Sequence, residues 1–341
     1  MKALVERLCA DECAGRAPGT DGGRLARRIV LEALREAGLD PHEQPVPGCR
    51  GANVLASIPG EIDRWVLMAA HYDHLGVLDG AVYRGADDNA AAVAILVEVA
   101  RRLAADRPRG RGVIVAAFDA EEPPYFLTEA MGSEHFARHP LVPLEAIDTM
   151  VCMDLVGHAV GAEGLPGEVR DTVFALGAER SRGTTELVRG IATAEPGVVI
   201  RPADADVIPP LSDYAAFWDR RRPFLFLTNG RSRVYHTPQD VPALLAWDKM
   251  EATARWLERF VRESCARDGG PVAFTGARSD VLTLDSLAEL LGALAPRSPE
   301  AERGLAMTEA LRGKVRADGT LPPAQQAQLA AVVAGLESGL A

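Results

Sequence analysis

The chain has 341 residues, 48% hydrophobic and 25% charged, which is ordinary globular composition with room for one large core and an appendage. Its formal net charge of −11 speaks against nucleic acid and anionic membrane surfaces as partners, and no window reaches the roughly 18 apolar residues of a bilayer span. Five scattered cysteines, with nothing near Met1 resembling a signal peptide, suit a reducing cytoplasm better than a disulfide framework.

Residues 1–20 close in the turn Ala14-Gly-Arg-Ala-Pro-Gly-Thr20, and Cys9 and Cys13 read as two half-buried helix positions. Apolar residues at helical spacing then predict a helix from Gly22 to a stop at Gly38. Asn53–Ile58 and Trp65–Ala70 read as strands, the second running into His71-Tyr-Asp73-His74-Leu-Gly76. Arg84-Gly-Ala-Asp87-Asp88-Asn89 precedes a long Ala/Val/Leu helix to about Ala104. Gly112–Phe118 is short, β-branched and free of polar residues, as in a buried parallel strand, and it delivers Glu121-Glu122. Thr149–Met153 is another such strand, ending at Asp154. A Gly/Pro-rich stretch, 157–210, holds a helix near Thr184–Ala194. Pro223–Thr228 is a strand leading to Val234-Tyr-His236, and Trp247–Cys265 is a closing helix.

Composition shifts at about Ala266, so 1–266 reads as a catalytic domain and 280–341 as a helical extension joined by a Gly/Pro-rich linker. Three helices are expected there, Leu284–Ala295, Pro299–Arg316 and Pro322–Leu336. The stripe Leu284, Leu287, Leu290, Leu291 and Leu294 is too wide to leave in water. It calls for docking on the main body or for a homo-oligomer through these helices.

Strands alternating with helices give an α/β fold, a mostly parallel twisted sheet sandwiched by helices, with chemistry at the carboxyl edge. That edge receives His71, Glu121, Glu122 and Asp154, while loops bring Asp87, Asp88 and His236. Zinc takes His nitrogen and Asp/Glu oxygen, and five such ligands suffice for two ions sharing one carboxylate. Asp73 and Asp240 stand where they can orient the rings of His71 and His236.

The ordered set His71-Tyr-Asp-His-Leu-Gly76, Gly85-Ala-Asp-Asp-Asn89, Ala120-Glu-Glu122 with Met131-Gly-Ser133, Met153-Asp154-Leu-Val-Gly157, Ser212-Asp213 and Tyr235-His-Thr-Pro238 resembles the co-catalytic zinc aminopeptidases of the MH clan. That group includes bacterial leucyl aminopeptidases, aminopeptidase Y and, more distantly, glutamate carboxypeptidase. Ala14–Thr20 matches as well, and the likeness spans about residues 5–262.

The resemblance implies a zinc-exopeptidase (phosphorylase/hydrolase-like) fold with two divalent metal ions, zinc foremost. Asp88 would bridge them, His71 and Asp154 completing one site and Glu122 and His236 the other. Glu121 would be the general base, Tyr235 an oxyanion contact, and Asp73, Asp87 and Asp240 supports around the ligands. It implies a cis peptide between Asp88 and Asn89, and a peptide or aminoacyl substrate with a free N-terminus. His74, His135, His139 and His158 read as hydrogen-bonded loop residues, Arg231 and Arg233 as solvated loop arginines, and Ser212-Asp213 as pocket wall or helix cap. Pro123–Ala130 replaces the short glycine turn of many members and should alter the pocket rim.

Two alternatives remain at this stage. A glutaminyl-cyclase-like transferase shares the fold with a single zinc, but its relatives carry serine where this chain has Asn89. A non-catalytic binding module would have lost ligands. No Gly-x-Ser-x-Gly elbow supports a serine hydrolase.

Overall fold

The computed structural model describes residues 1–192, 195–268 and 270–340. In chain order the elements are α1 (Lys2–Leu8), α2 (Asp21–Glu36), β1 (His42–Val46), β2 (Gly51–Ile58), β3 (Ile62–His71), β4 (Gly76–Leu78), β5 (Ala81–Tyr83) and α3 (Ala91–Ala105). Then come β6 (Arg111–Phe118), α4 (Gly132–Arg138), β7 (Ile147–Met153), α5 (Gly167–Arg170), β8 (Thr172–Leu176), α6 (Thr184–Ala192), β9 (Val199–Ala203), α7 (Ala215–Asp219), β10 (Phe224–Thr228) and α8 (Trp247–Ala266). The tail adds α9 (Asp280–Leu294), α10 (Pro299–Arg312) and α11 (Pro323–Leu340). The last two positions of the helix expected over 184–194 lie outside the described residues.

Eight strands form one sheet in the order β1-β2-β6-β3-β7-β10-β8-β9. The four central strands, β6, β3, β7 and β10, run parallel, while β2 pairs β6 and β8 pairs β10 in the opposite sense. The alternation of side chains along the strands divides the core between the two faces. Val66, Met68, Val113, Val115, Val151 and Leu225 pack with α1, α2, α3 and α8 on one face. Leu67, Ile114, Ala116, Met150 and Phe226 pack with Phe136 of α4 and Phe217 of α7 on the other. Both faces are covered, which is why these strands read as unbroken apolar runs.

Register fixes the chemistry. His71 pairs with Phe118, and Ala69 pairs with Cys152, so continuing two residues sets His71 beside Asp154. Leu227 pairs with Met153, bringing the end of β10 to the same edge.

Five strands went unforeseen: β1, β4, β5, β8 and β9. β1 contains Pro45 and lies at the sheet edge, and β9 carries Arg201 and Pro202, so neither shows an apolar run. Cys9 and Cys13 are fully buried and belong to no common helix, because Cys9 caps α1 and Cys13 lies in the turn that follows. The linker is pinned, since Arg111 donates to the carbonyls of Arg267, Asp268 and Gly270.

In the tail, Leu284, Leu287, Leu290, Leu291 and Leu294 are buried in a cluster with Val160 and Val169 of the main body. The stripe is thus covered within the chain.

Candidate metal centre

Asp88 stands at the middle of the site. Its Oδ1 lies 3.5 Å from His71 Nε2 and its Oδ2 3.2 Å from His236 Nε2. On the first side, Asp154 Oδ1 is 3.4 Å from His71 Nε2, and His71, Asp88 and Asp154 form one cluster of converging ligand atoms. On the second, Glu122 Oε2 is 3.2 Å from His236 Nε2. Glu121 stands outside both groups, with its Oε2 3.8 Å from His71 Nε2.

The backbone that presents these groups is unusual. The peptide from Asp88 to Asn89 is cis. Ala120, Leu155 and His236 have φ of 59°, 56° and 53°, a left-handed conformation that side chains other than glycine adopt rarely and that clusters at functional sites. Gly85 is required where it stands. A Cβ there would lie 2.1 Å from the carbonyl oxygen of Asp88 and 2.5 Å from the His74 ring.

Buried carboxylates lash the loops together. Asp73 accepts from the amides of Glu121 and Glu122, at 3.1 Å each, and stays 3.5 Å from His71 Nδ1. Asp87 accepts from the amides of Gly157 and His158, just beyond Asp154. Contrary to the sequence reading, Asp240 does not hold His236. It accepts from the amides of Asp87 and Asp88 instead, and faces the ring of His158. Backbone amides are the stronger claim on it, because each is a buried donor that needs a partner.

Two residues have more to do than their sequence context suggested. His74, expected to be an ordinary loop residue, is fully buried with Nδ1 2.7 Å from Glu122 Oε1, and it forms a second ligand-type cluster with Asp88 and Glu122. Burial pushes its pKa down to about 4, and a neutral ring carrying its hydrogen on Nδ1 would donate to Glu122. Arg16, in the opening motif, is fully buried and donates to the carbonyls of Leu8, Tyr72, Arg84, Gly85 and Asp88. Its fork joins the loop after β3 to the loop carrying Asp88. A lone Arg or His in a loop carries no periodic signal, so only the motif hinted at either.

Other positions are further out. His135 and His139 contact each other, ring to ring, at α4 and its end. Asp213 is buried near enough to His71 and Asp154 to feel both charges but does not line the cavity, and burial raises its pKa to about 7. Tyr235 stacks on His236, with centroids 3.9 Å apart, and lines the cavity. Arg231 is the exposed loop arginine expected, and it also pairs with Glu337 of the tail. Pro123 and Phe126 of the inserted segment line the rim.

Charge indicates what the site can hold. Burial and then Glu122 raise the Asp88 pKa to about 6, and Glu121 is driven well above the carboxylate range by burial, despite the pull of His71. Burial opposes charge on His71 and His236, yet the carboxylates overcome it, holding His236 at about 10. Four buried carboxylates faced by histidine rings are short of positive charge. Divalent cations would supply it, and the N/O donor set suits zinc.

The family model for peptidase family M28 matches residues 53–261. The chain belongs to peptidase family M28. It is an enzyme of that family, and its tail lies beyond the match. The M28 chain is 26% identical over 256 residues to the uncharacterized protein YfbL of Escherichia coli, covering 69% of this chain and 78% of that one. Among solved structures it resembles the glutaminyl cyclase of Porphyromonas gingivalis, with TM-score 0.62 at 22% identity over 77% of this chain and 96% of that one. The LapA aminopeptidase of Legionella pneumophila gives TM-score 0.62 at 16% identity, over 78% and 72%. A Zn-dependent exopeptidase from Parabacteroides distasonis gives 0.60 at 21%, over 76% and 96%. The fold is that of the zinc exopeptidases, and no described helix is long and apolar enough to cross a membrane.

Proposed function

We propose that this chain is a metal-dependent aminopeptidase that removes the N-terminal residue of peptides. The observation carrying the proposal is that buried Asp88 faces two ways, one oxygen toward His71 and the other toward His236. His71, Asp88 and Asp154 would hold one divalent ion, and Asp88, Glu122 and His236 a second. Two zinc ions there would polarise a scissile carbonyl and make a water acidic enough to attack at neutral pH. Glu121, beside both clusters but in neither, is placed to take a proton from the attacking water and pass it to the leaving amine. Tyr235, on the cavity wall beside His236, is placed to donate to the developing oxyanion, and burial, with the nearby carboxylates, keeps its hydroxyl protonated.

The substrate's free amine is the second anchor. Asp154 and Glu121 line the cavity and offer it an anionic partner. An N-acetylated substrate loses that partner, and an orienting contact of this kind supplies several kcal/mol of barrier reduction. Free-amine aminoacyl amides are therefore expected to turn over at least about 100-fold faster than acetylated ones, roughly 2.7 kcal/mol in the transition state. Chelation should abolish turnover and zinc restore it. Efficient internal cleavage of a blocked peptide contradicts the proposal. Conversion of N-terminal glutamine to pyroglutamate without hydrolysis would favour the cyclase chemistry named for one structural relative.

A further inference from the structure

The cavity that opens from the carboxylate cluster has a volume of about 240 Å³, many times the ~10–15 Å³ that one water requires. Asp88, Glu121, Asp154 and His236 stand at one end. Away from them the lining turns apolar, through Phe174, Leu176, Ile208 and Phe226. α11 supplies a further part of the wall, by Val333, Leu336 and Leu340, beside Thr283, Ser286 and Leu287 of α9.

α11 carries an apolar stripe, Leu329, Val332, Val333, Leu336 and Leu340, at helical spacing. Leu329 is buried, as a residue placed for stability would be. Val333, Leu336 and Leu340 are only partly buried: they pack on the tail's leucine cluster with one side and line the cavity with the other. The helix is also tied to both loops that carry the site. Leu340 packs over Gly161, in the loop after Asp154, so closely that a Cβ on Gly161 would lie 3.0 Å from it. Glu337 pairs with Arg231 at 2.9 Å, and the Arg231 guanidinium sits 5.8 Å from the centre of the Tyr235 ring, next to His236. Arg231 and Glu337 pair with each other, so neither stands as a lone charge on the cavity wall, and the lining contributed by α11 beside Glu337 is apolar.

We propose that α11, which lies outside the family match, is a working wall of the substrate site. Val333, Leu336 and Leu340 receive a bulky apolar side chain next to the reacting bond and set its maximum size. The inference rests on the aminopeptidase reading for which bond reacts.

The test uses the full-length, zinc-loaded chain and its Leu336→Trp and Leu336→Ala variants, with phenylalanine, naphthylalanine and alanine amides as substrates. Leu336→Trp should lower the phenylalanine-to-alanine ratio of kcat/KM at least tenfold. Leu336→Ala should raise the naphthylalanine-to-phenylalanine ratio by a similar factor. Circular dichroism and the melting temperature check the fold, and Val333→Phe takes the place of Leu336→Trp if that variant does not fold. Ratios that stay fixed, with all substrates slowed alike or none slowed, overturn the proposal and leave α11 a structural helix. If the unaltered enzyme hydrolyses no amide, the aminopeptidase reading has failed separately. Calorimetric binding of phenylalaninamide and alaninamide to the same variants then reads the same ratio, and a fixed ratio of affinities again overturns the wall.

Discussion

Glu121 and Glu122 are neighbours in sequence with different surroundings. Glu122 is held between two histidines, His74 on Oε1 and His236 on Oε2. Glu121 touches the cluster only at its margin, 3.8 Å from His71. The split comes from the turn rather than from strand alternation, since β6 ends at Phe118 and Ala120 is left-handed just before the pair. Glu121→Gln is therefore expected to keep bound zinc while kcat falls by about 10²–10⁴-fold, the usual worth of a positioned base. Kinetics alongside metal analysis check this, and near-normal turnover would remove Glu121 from the mechanism. The ligand-type residues were legible in sequence because each follows an apolar run or sits in a dense acidic turn. Of what holds them, Asp73 and Asp87 could be named, but not the backbone amides they accept from. Asp240 lies four residues from His236 but acts on the amides of Asp87 and Asp88, a long-range contact that sequence proximity cannot reveal.

At the scale of elements, the opposite end of the sheet is fastened by charge. Asp148 at the start of β7 accepts from Arg64 of β3 and Arg111 of β6, each Nε at 2.6 Å, and from the amide of Val272. Burial alone would raise the Asp148 pKa, but the two guanidinium groups outweigh it and hold the carboxyl below its ordinary value. Removing the carboxylate leaves the buried Arg111 charge with backbone carbonyls but no counter-ion, so Asp148→Asn should cost about 3–5 kcal/mol at neutral pH. With the folded pKa depressed, this stability is present above the unfolded aspartate value of about 3.9 and is lost as pH falls through the folded one. Denaturant melts of the two proteins should thus begin to converge only below about pH 4 and go on converging as pH falls further. A constant gap down to pH 2 would contradict the ion-pair account. The central strands were readable from their apolar runs. The outer strands β8 and β9 were not, because β9 carries Arg201 and β8 begins with Thr172, and these two side chains bond each other in the sheet.

Across the whole molecule, the tail and the family domain share structure. α9 buries Leu284 and Leu290 completely and packs along β9, while Arg201 of β9 pairs with Glu289. The leucine stripe announced that something must cover it, but nothing in the sequence said which surface. Leu290→Ala should cost about 2–5 kcal/mol and lower a single cooperative transition. Two separate thermal transitions, with only one moved, would show instead that the tail unfolds independently of the sheet.

The central claim is a pair of metal ions shared through Asp88, and it is tested most directly by counting zinc. Mass-spectrometric metal analysis of the chain purified with zinc, titrated against hydrolysis of a free-amine aminoacyl amide, should give two equivalents per chain at full activity. The Glu122→Ala variant should retain about one, because it loses a ligand from one side only. Full activity at a single equivalent, or two equivalents retained when Asp88 is replaced by alanine, would contradict the account.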